Sequence, residues 1–397
     1  RYLVNGIGML FSLWSSIGRW TIDLWKFLSR GPYLWFWLDR FNWANKDLEI
    51  TTPGRVCLFG EHQDYLGLPV IAMAISLRAN MSGEKRSDRQ VIIHKPDIGE
   101  VETFSLDDLS YNKPRDYFKS AINICHAEGL RFSYGFECEI KSSIPIKAGT
   151  SSSSAITVSW IHFLSLMADE KVSWDKQKIG ELAYKAEVTE FQEPGGMMDQ
   201  YSTAIGDLLY IASEPSMDIQ PLDASLGSFV LGDSKEPKET LEILKKCRDV
   251  RLELFNTIRL KNEAFDLHSY DMDLDLSGLD HEERTLFHGT IRNRDILIKA
   301  RSELNKSSPD HQLIGSLLND HHTILRDHLH VSTTKIEAML SSAINAGAFG
   351  GKINGSGGGG CMFAYAPEDP DSVARAIESV GGKAYIIYAD DGTKALT

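Results

Sequence analysis

A run of glycines set between two apolar stretches constrains this chain more than any other feature: Gly350-Gly351-Lys352-Ile353-Asn354-Gly355-Ser356-Gly357-Gly358-Gly359-Gly360-Cys361. Glycine loses more backbone entropy on folding than any other residue, so such density belongs where the chain turns tightly against a ligand or another loop. The pattern predicts strand, glycine turn and strand over 352–364. By itself it equally fits a flexible hairpin.

Two earlier segments carry polar groups in a similar arrangement. The first is Thr52-Pro53-Gly54-Arg55-Val56-Cys57-Leu58-Phe59-Gly60-Glu61-His62-Gln63-Asp64-Tyr65-Leu66-Gly67. It reads as a strand carrying a cation near its start and delivering Glu-His-x-Asp-Tyr at its end. Carboxylates beside a histidine suit a polyhydroxylated ligand, whose hydroxyls donate to the carboxylates and accept from a ring N–H. A polar turn with solvated charges fits the same residues. The second is Pro145-Ile146-Lys147-Ala148-Gly149-Thr150-Ser151-Ser152-Ser153-Ser154-Ala155, opening a helix expected over 152–167. The first turn of a helix has free N–H groups and the positive end of the helix dipole, so anionic oxygens settle there. Small residues let phosphates approach the backbone, although no Gly-Lys-Ser/Thr follows as in a Walker loop. A serine-rich helix cap is the plain alternative.

The 397 residues leave room for two or three domains, and a net charge of −13 argues against nucleic acid as the main partner. Five scattered cysteines without CxxC spacing read as reduced thiols in a cytoplasmic protein. Residues 1–47 stand apart: six of the eight tryptophans lie there. Their apolar run is too short and interrupted to span a bilayer, so membrane contact is expected at most through an interfacial Trp-rich segment. No catalytic role is assigned to it. From residue 48 onward strand and helix patterns alternate. Helices are expected over 117–128, 152–167, 176–191, 237–255 and 370–380, with further long helices between 283 and 346. The acidic stretch 264–283 reads as a solvated connection. A division near 220 separates a domain of residues 48–220, carrying the phosphate loop, from one of residues 221–397. His321 and His322, adjacent on one of the late helices, point to different faces, which speaks for packing over a metal site.

The three motifs together resemble the signatures of the GHMP kinases, the family of galactokinase, homoserine kinase, mevalonate kinase and phosphomevalonate kinase. Gly60-Glu61-His62-Gln63-Asp64-Tyr65 is similar to the galactokinase form of the first motif. The segment from Ala186-Glu187 to Gly196-Met197-Met198-Asp199-Gln200 is similar in spacing to the galactokinase segment ending Gly-x-Met-Asp-Gln, and Asn319 to Asp327 resembles the helix before the third motif. The resemblance spans residues 49–397. It implies an α+β, two-domain GHMP kinase fold, with a ribosomal S5 domain 2-like N-terminal domain and a ferredoxin-like C-terminal domain. It also implies an ATP- and Mg²⁺-dependent phosphotransferase acting on a sugar hydroxyl.

Carried over residue by residue, Asp199 would be the catalytic carboxylate at the sugar hydroxyl. Arg55 would sit beside it and stabilise the transferring phosphoryl group. Ser153 and Glu187 match the family's Mg²⁺ ligands. Glu61, His62, Asp64 and Gly196 match sugar contacts. Gly149, Ser151, Ser152 and Ser154 would line the phosphate loop, with Gly355, Gly357 and Gly358 supporting it, and Lys147 would reach a phosphate or extend into solvent. Lys147 stands where the family often has Gly, Thr150 where it usually has Leu, Val188 for a frequent His and Gly195 for a frequent Cys. The stretch after Ser234 lacks the Tyr that helps bind galactose, so "sugar kinase" is held more firmly than "galactose". The competing expectations are a kinase for a non-sugar alcohol such as mevalonate, which the Asp64-Tyr65 pair disfavours, and a catalytically silent sugar- and ATP-binding regulator.

Overall fold

The computed structural model describes residues 48–146, 148–237, 240–269 and 274–396; the Trp-rich segment and Lys147 lie outside them. Strand β1 (Leu48–Phe59) opens the described chain, and its apolar and small side chains are buried from Ile50 onward. It pairs antiparallel with the long β2 (Val70–Lys85), with irregular register at Pro53/Gly54 and Cys57/Phe59. β3 (Gln90–Lys95), β4 (Glu100–Ser105), β5 (Phe136–Ser142), β6 (Leu208–Ala212), β7 (Asp218–Pro221) and β12 (Lys394–Leu396) complete an eight-stranded sheet. Its main path runs β12-β1-β2-β5-β3-β4, with β6 beside β2 and β7 beside β6. β12 returns to pair with β1, so the end of the chain closes against its first described strand.

Helices α1 (Tyr117–Ala127), α2 (Ser152–Met167), α3 (Lys176–Tyr184) and α4 (Met198–Ile205) accompany this sheet. α2 is its anchor. Trp160 and Phe163 are fully buried, pack on Phe136, and the Trp160 indole N–H donates to the Phe118 carbonyl at 3.1 Å. Burying aromatic residues of this size is among the largest single contributions to a core.

A second, four-stranded antiparallel sheet has the order β11-β8-β10-β9, from β8 (Phe229–Asp233), β9 (Gly350–Ile353), β10 (Cys361–Tyr365) and β11 (Lys383–Ile387). Helices α5 (Thr240–Lys261), α6 (His281–Leu304), α7 (His311–Asp327), α8 (Thr334–Asn345) and α9 (Pro370–Ser379) complete the chain. Asp280 and Glu283 form a reciprocal capping box at the start of α6. Residues Val56, Leu58 and Phe59 of β1, Phe363 and Tyr365 of β10, and Leu297 and Ala300 of α6 share one apolar cluster, so strands of both sheets meet in a common core.

Two expectations need correction. The helix expected over 176–191 stops being α at Tyr184 and continues as a π turn over Lys185–Thr189. The supposed solvated connection after residue 264 buries Phe265, Leu267 and Leu279 against Leu254, Phe255 and Phe287, while Asp266 and Asp275 are exposed. All five cysteines are buried and none is in a disulfide. Among the described residues no helix is long and apolar enough to cross a membrane.

Candidate active site

The end of β1, the start of α2, the π turn, the start of α4 and the glycine turn between β9 and β10 converge on one cleft of about 440 Å³. Each element delivers polar groups for a local reason. Ser151 stands at the N-cap of α2 with φ 58°, and its hydroxyl does not cap the helix. The first-turn N–H groups are therefore left for a ligand. Ser151 to Ser154 and Gly149 all line the cleft. Arg55 N donates to the Thr150 carbonyl at 3.2 Å, which ties this loop to β1.

Arg55 is 4% exposed. Its Nε and Nη2 reach Asp199 Oδ1 at 2.8 and 2.6 Å, and Nη1 donates to the Gly149 carbonyl at 2.5 Å. Burial acts against the guanidinium charge, but Asp199 and Glu61 outweigh it and raise its pKa. Asp199 stands in the first turn of α4, and among the described residues its Oδ2 takes no hydrogen bond. That arrangement commits one oxygen to the arginine and presents the other to the cleft.

Glu61 and Lys352 form a buried ion pair at 3.0 Å, and the same Glu61 oxygen accepts from the Gly355 backbone N–H at 2.8 Å. Burial would push the Glu61 carboxyl up, but Lys352 and then Arg55 bring it down to about 2. Asn354 adds a second tie: its oxygen accepts from Cys57 N at 2.9 Å, and its amide donates to the Gly149 carbonyl at 2.7 Å. The first and third motifs and the serine loop are thus joined by side chains.

Both ring nitrogens of His62 are occupied. Nε2 is 3.1 Å from the Ser356 carbonyl and Nδ1 is 2.9 Å from the Tyr65 hydroxyl. Burial, then the Arg251 charge, lower its pKa to about 4. The expected ring N–H contact with a sugar is therefore replaced by contacts within the protein. Asp64 is different: burial and the nearby charge of Asp199 raise its carboxyl to about 6. A Cβ built on Gly196 would lie 1.9 Å from Asp64 Oδ2, so only glycine permits this approach.

Glu187 in the π turn is 5% exposed and accepts from Gln200 Nε2 at 2.7 Å. Burial raises its pKa against the pull of Gln200, Ser153 and Ser154, and no ion pair reaches it among the described residues. A buried carboxylate without a cation, beside a serine hydroxyl, is hard-oxygen chemistry that fits Mg²⁺.

Arg55, Glu61, His62, Asp64, Gly149, Ser151 to Ser154, Glu187, Gly196, Asp199 and Gly355 all line the cleft. Gly357 and Gly358 do not: they pack against Val331 and Ile243 behind the turn. Lys147 lies outside the described residues. Sequence reasoning missed Lys352, Asn354, Arg251 and Ser356. Lys352 had a signal, since a lysine inside an apolar strand needs a carboxylate partner.

The family description "GHMP kinases N terminal domain" matches residues 116–207, "GHMP kinases C terminal" matches 300–385, and "Galactokinase galactose-binding signature" matches 39–85. A mevalonate kinase from Pyrococcus abyssi is 30% identical over 347 residues, which cover 84% of this chain and 92% of that protein. The chain belongs to the GHMP kinase family. A galactokinase from Actinobacillus succinogenes is 26% identical over 356 residues, covering 83% of this GHMP kinase and 88% of the relative. The solved galactokinase of Lactococcus lactis complexed with galactose shares the fold, with a TM-score of 0.76 at 21% identity over 92% of this chain and 100% of the other. Members of the family are phosphotransferases with alcohol acceptors and use ATP as donor.

Proposed function

We propose that this GHMP kinase transfers the γ-phosphoryl group of ATP to a hydroxyl of a sugar, the anomeric hydroxyl of galactose or a related sugar, giving a sugar 1-phosphate and ADP. The observation that carries this reading is the Arg55–Asp199 pair in the same cleft as the open N-terminus of α2 and the raised carboxyl of Asp64. The nucleotide's phosphates lie against Gly149, Ser151, Ser152 and Ser154. The acceptor lies against Asp64, with Gly196 and the Glu61-His62 turn shaping its side of the cleft.

Asp199 Oδ2 receives the proton of the acceptor hydroxyl as its oxygen bonds to the γ-phosphorus and the bond to the bridging oxygen of ADP breaks. Arg55 keeps Asp199 oriented and offsets charge on the transferring group. Phosphoryl transfer depends mainly on such positioning and electrostatic stabilisation. Ser153 and Glu187 would hold Mg²⁺, which would supply positive charge to offset that of the phosphates. Asp64 and the match to the galactose-binding signature support a sugar acceptor.

The mevalonate kinase relatives at 29–30% identity favour a second reading, a mevalonate acceptor in the same cleft. An ADP-release screen with Mg-ATP separates these readings, run across galactose, glucose, mannose, fucose, arabinose, N-acetylhexosamines, heptoses and mevalonate. Turnover with a sugar supports the first reading and turnover with mevalonate alone replaces it with the second. No turnover with any acceptor points to a silent regulator.

A further inference from the structure

Three cleft-lining side chains keep a buried polar atom without a hydrogen-bond partner among the described residues: Ser151 Oγ, Gln200 Oε1 and Ser356 Oγ. Leaving such atoms unpaired is costly, so a ligand that satisfies them recovers the cost. Ser151 belongs to the phosphate loop, and the Gln200 amide nitrogen already serves Glu187. Ser356 is the one without a role so far. It is 5% exposed and sits among the glycines of the third motif.

Its backbone is held from two sides. On one side, its carbonyl can only accept, so the facing His62 Nε2 carries the proton and Nδ1 holds the lone pair. Nδ1 then accepts from the Tyr65 hydroxyl, whose oxygen accepts from Arg251 on α5. On the other side, Gly355 has φ 75°, and a Cβ there would lie 2.8 Å from the Gly149 carbonyl. That carbonyl takes the Nη1 proton of Arg55, which grips Asp199. Ser356 lines the cleft together with Gly149 of the phosphate loop, the Arg55–Asp199 pair and His62 of the acceptor-side turn.

We propose that the Ser356 hydroxyl donates a hydrogen bond to a terminal phosphoryl oxygen of the bound nucleoside triphosphate, held in place by the Arg251–Tyr65–His62 relay. The inference rests on the kinase reading of the cleft and deepens it. A phosphoryl oxygen is an acceptor, and the Ser356 O–H is a donor with no acceptor among the described residues, so the two are complementary. The proposal places the γ-phosphoryl group, and not the β-phosphate of ADP, at this hydroxyl.

The test is calorimetric titration of the full chain with Mg-AMPPNP and with Mg-ADP, for wild type, S356A and S356G. Both variants are expected to weaken AMPPNP binding about tenfold, as for one lost hydrogen bond to a charged group, and to leave ADP binding within about twofold. Retained ADP binding also shows that the variants fold. Unchanged AMPPNP affinity, or equal weakening of both nucleotides, overturns the proposal. So does wild-type AMPPNP affinity in S356G alongside a loss in S356A, since a methyl group would then be the cause. Y65F removes the proton that fixes the His62 tautomer, and it should weaken AMPPNP binding in the wild-type background but little in S356A; additive losses overturn the relay. Because these titrations need no acceptor, a failed turnover screen and a flat AMPPNP-to-ADP difference are separate outcomes.

Discussion

Replacing Lys352 by Met removes the cation beneath the glycine turn while keeping most of its apolar stem. Lys352 is fully buried, and its Nζ donates to Glu61 Oε2 at 3.0 Å, to the Cys57 carbonyl at 2.9 Å and to the Ile353 carbonyl at 2.8 Å. The variant leaves the Glu61 carboxylate, itself 3% exposed, without its main partner. Breaking a buried pair from one side costs about 3–5 kcal/mol. The acidity of Glu61 gives an independent figure. Its carboxyl is lowered from 4.5 to about 2 by Lys352 and Arg55, against burial. With a tenfold change in acidity worth about 1.4 kcal/mol, the ionised group contributes about 3 kcal/mol to folding. Because the folded value lies below the unfolded one, this contribution is complete above pH 4.5 and is lost as pH falls towards 2. Urea unfolding of wild type, K352M, E61Q and the double variant checks the reasoning. At pH 7, K352M should lose about 3–5 kcal/mol, and the double variant at least about 2 kcal/mol less than the two single losses combined. The gap between wild type and K352M should narrow below pH 4.5. Losses that add within about 0.5 kcal/mol, or a gap that is constant with pH, would refute the coupling.

Asp199→Asn should lower kcat by about 10²–10⁴-fold, the scale of a lost general base, while AMPPNP affinity measured by calorimetry stays near wild type. Asp64, raised to about 6 by burial and the Asp199 charge, holds a proton below that pH and accepts from a hydroxyl above it. Acceptor kcat/KM should therefore climb through about pH 6 in wild type and lose that inflection in D64N; a wild-type profile flat across that range contradicts the assignment. Gly196→Ala places a methyl group on Asp64 Oδ2, and should cost about 10²-fold in acceptor kcat/KM with nucleotide affinity unchanged in the same titration.

Much of the fold was legible because it rests on periodic patterns. The helix from Ser152 to Met167 appears with those boundaries, and the strand–glycine turn–strand unit near Lys352 is present as β9 and β10. The cleft residues were legible because three unusual motifs and the segment from Ala186 to Gln200 carry them and resemble the signatures of one family. What stayed hidden has no period. The π turn at Lys185–Thr189 inserts a register change that hydrophobic spacing does not announce. β12 owes its place to pairing with β1, nearly the full chain away, and α4 is too short to show a pattern. Arg251, Asn354 and Lys352 act through a few hydrogen bonds to remote elements, and only coordinates reveal those partners. His62 was read as a sugar contact from its residue type, but its neighbours take both nitrogens.

Size alone does not designate the site. A second hollow of about 480 Å³ lies beside Thr257, Lys261 and the stretch Leu274–Leu279. Its charged side chains, Lys261 and Asp275, are exposed to solvent, and none of its residues has a buried unpaired polar atom. The 440 Å³ cleft concentrates local costs instead. Among the described residues, His62 and Ser151 hold positive φ without being glycine, Glu187 is a buried carboxylate without an ion pair, Asp64 resists ionisation, and three cleft-lining polar atoms lack partners. Strain and unpaired groups of this kind persist where surrounding structure over-determines them and a ligand relieves them. A phosphate at the open helix start, a divalent cation at Glu187 and a hydroxyl at Asp64 would each relieve one of these costs. The surrounding clamp of Arg55, Lys352, Asn354 and Arg251 keeps the costs from relaxing before those ligands arrive.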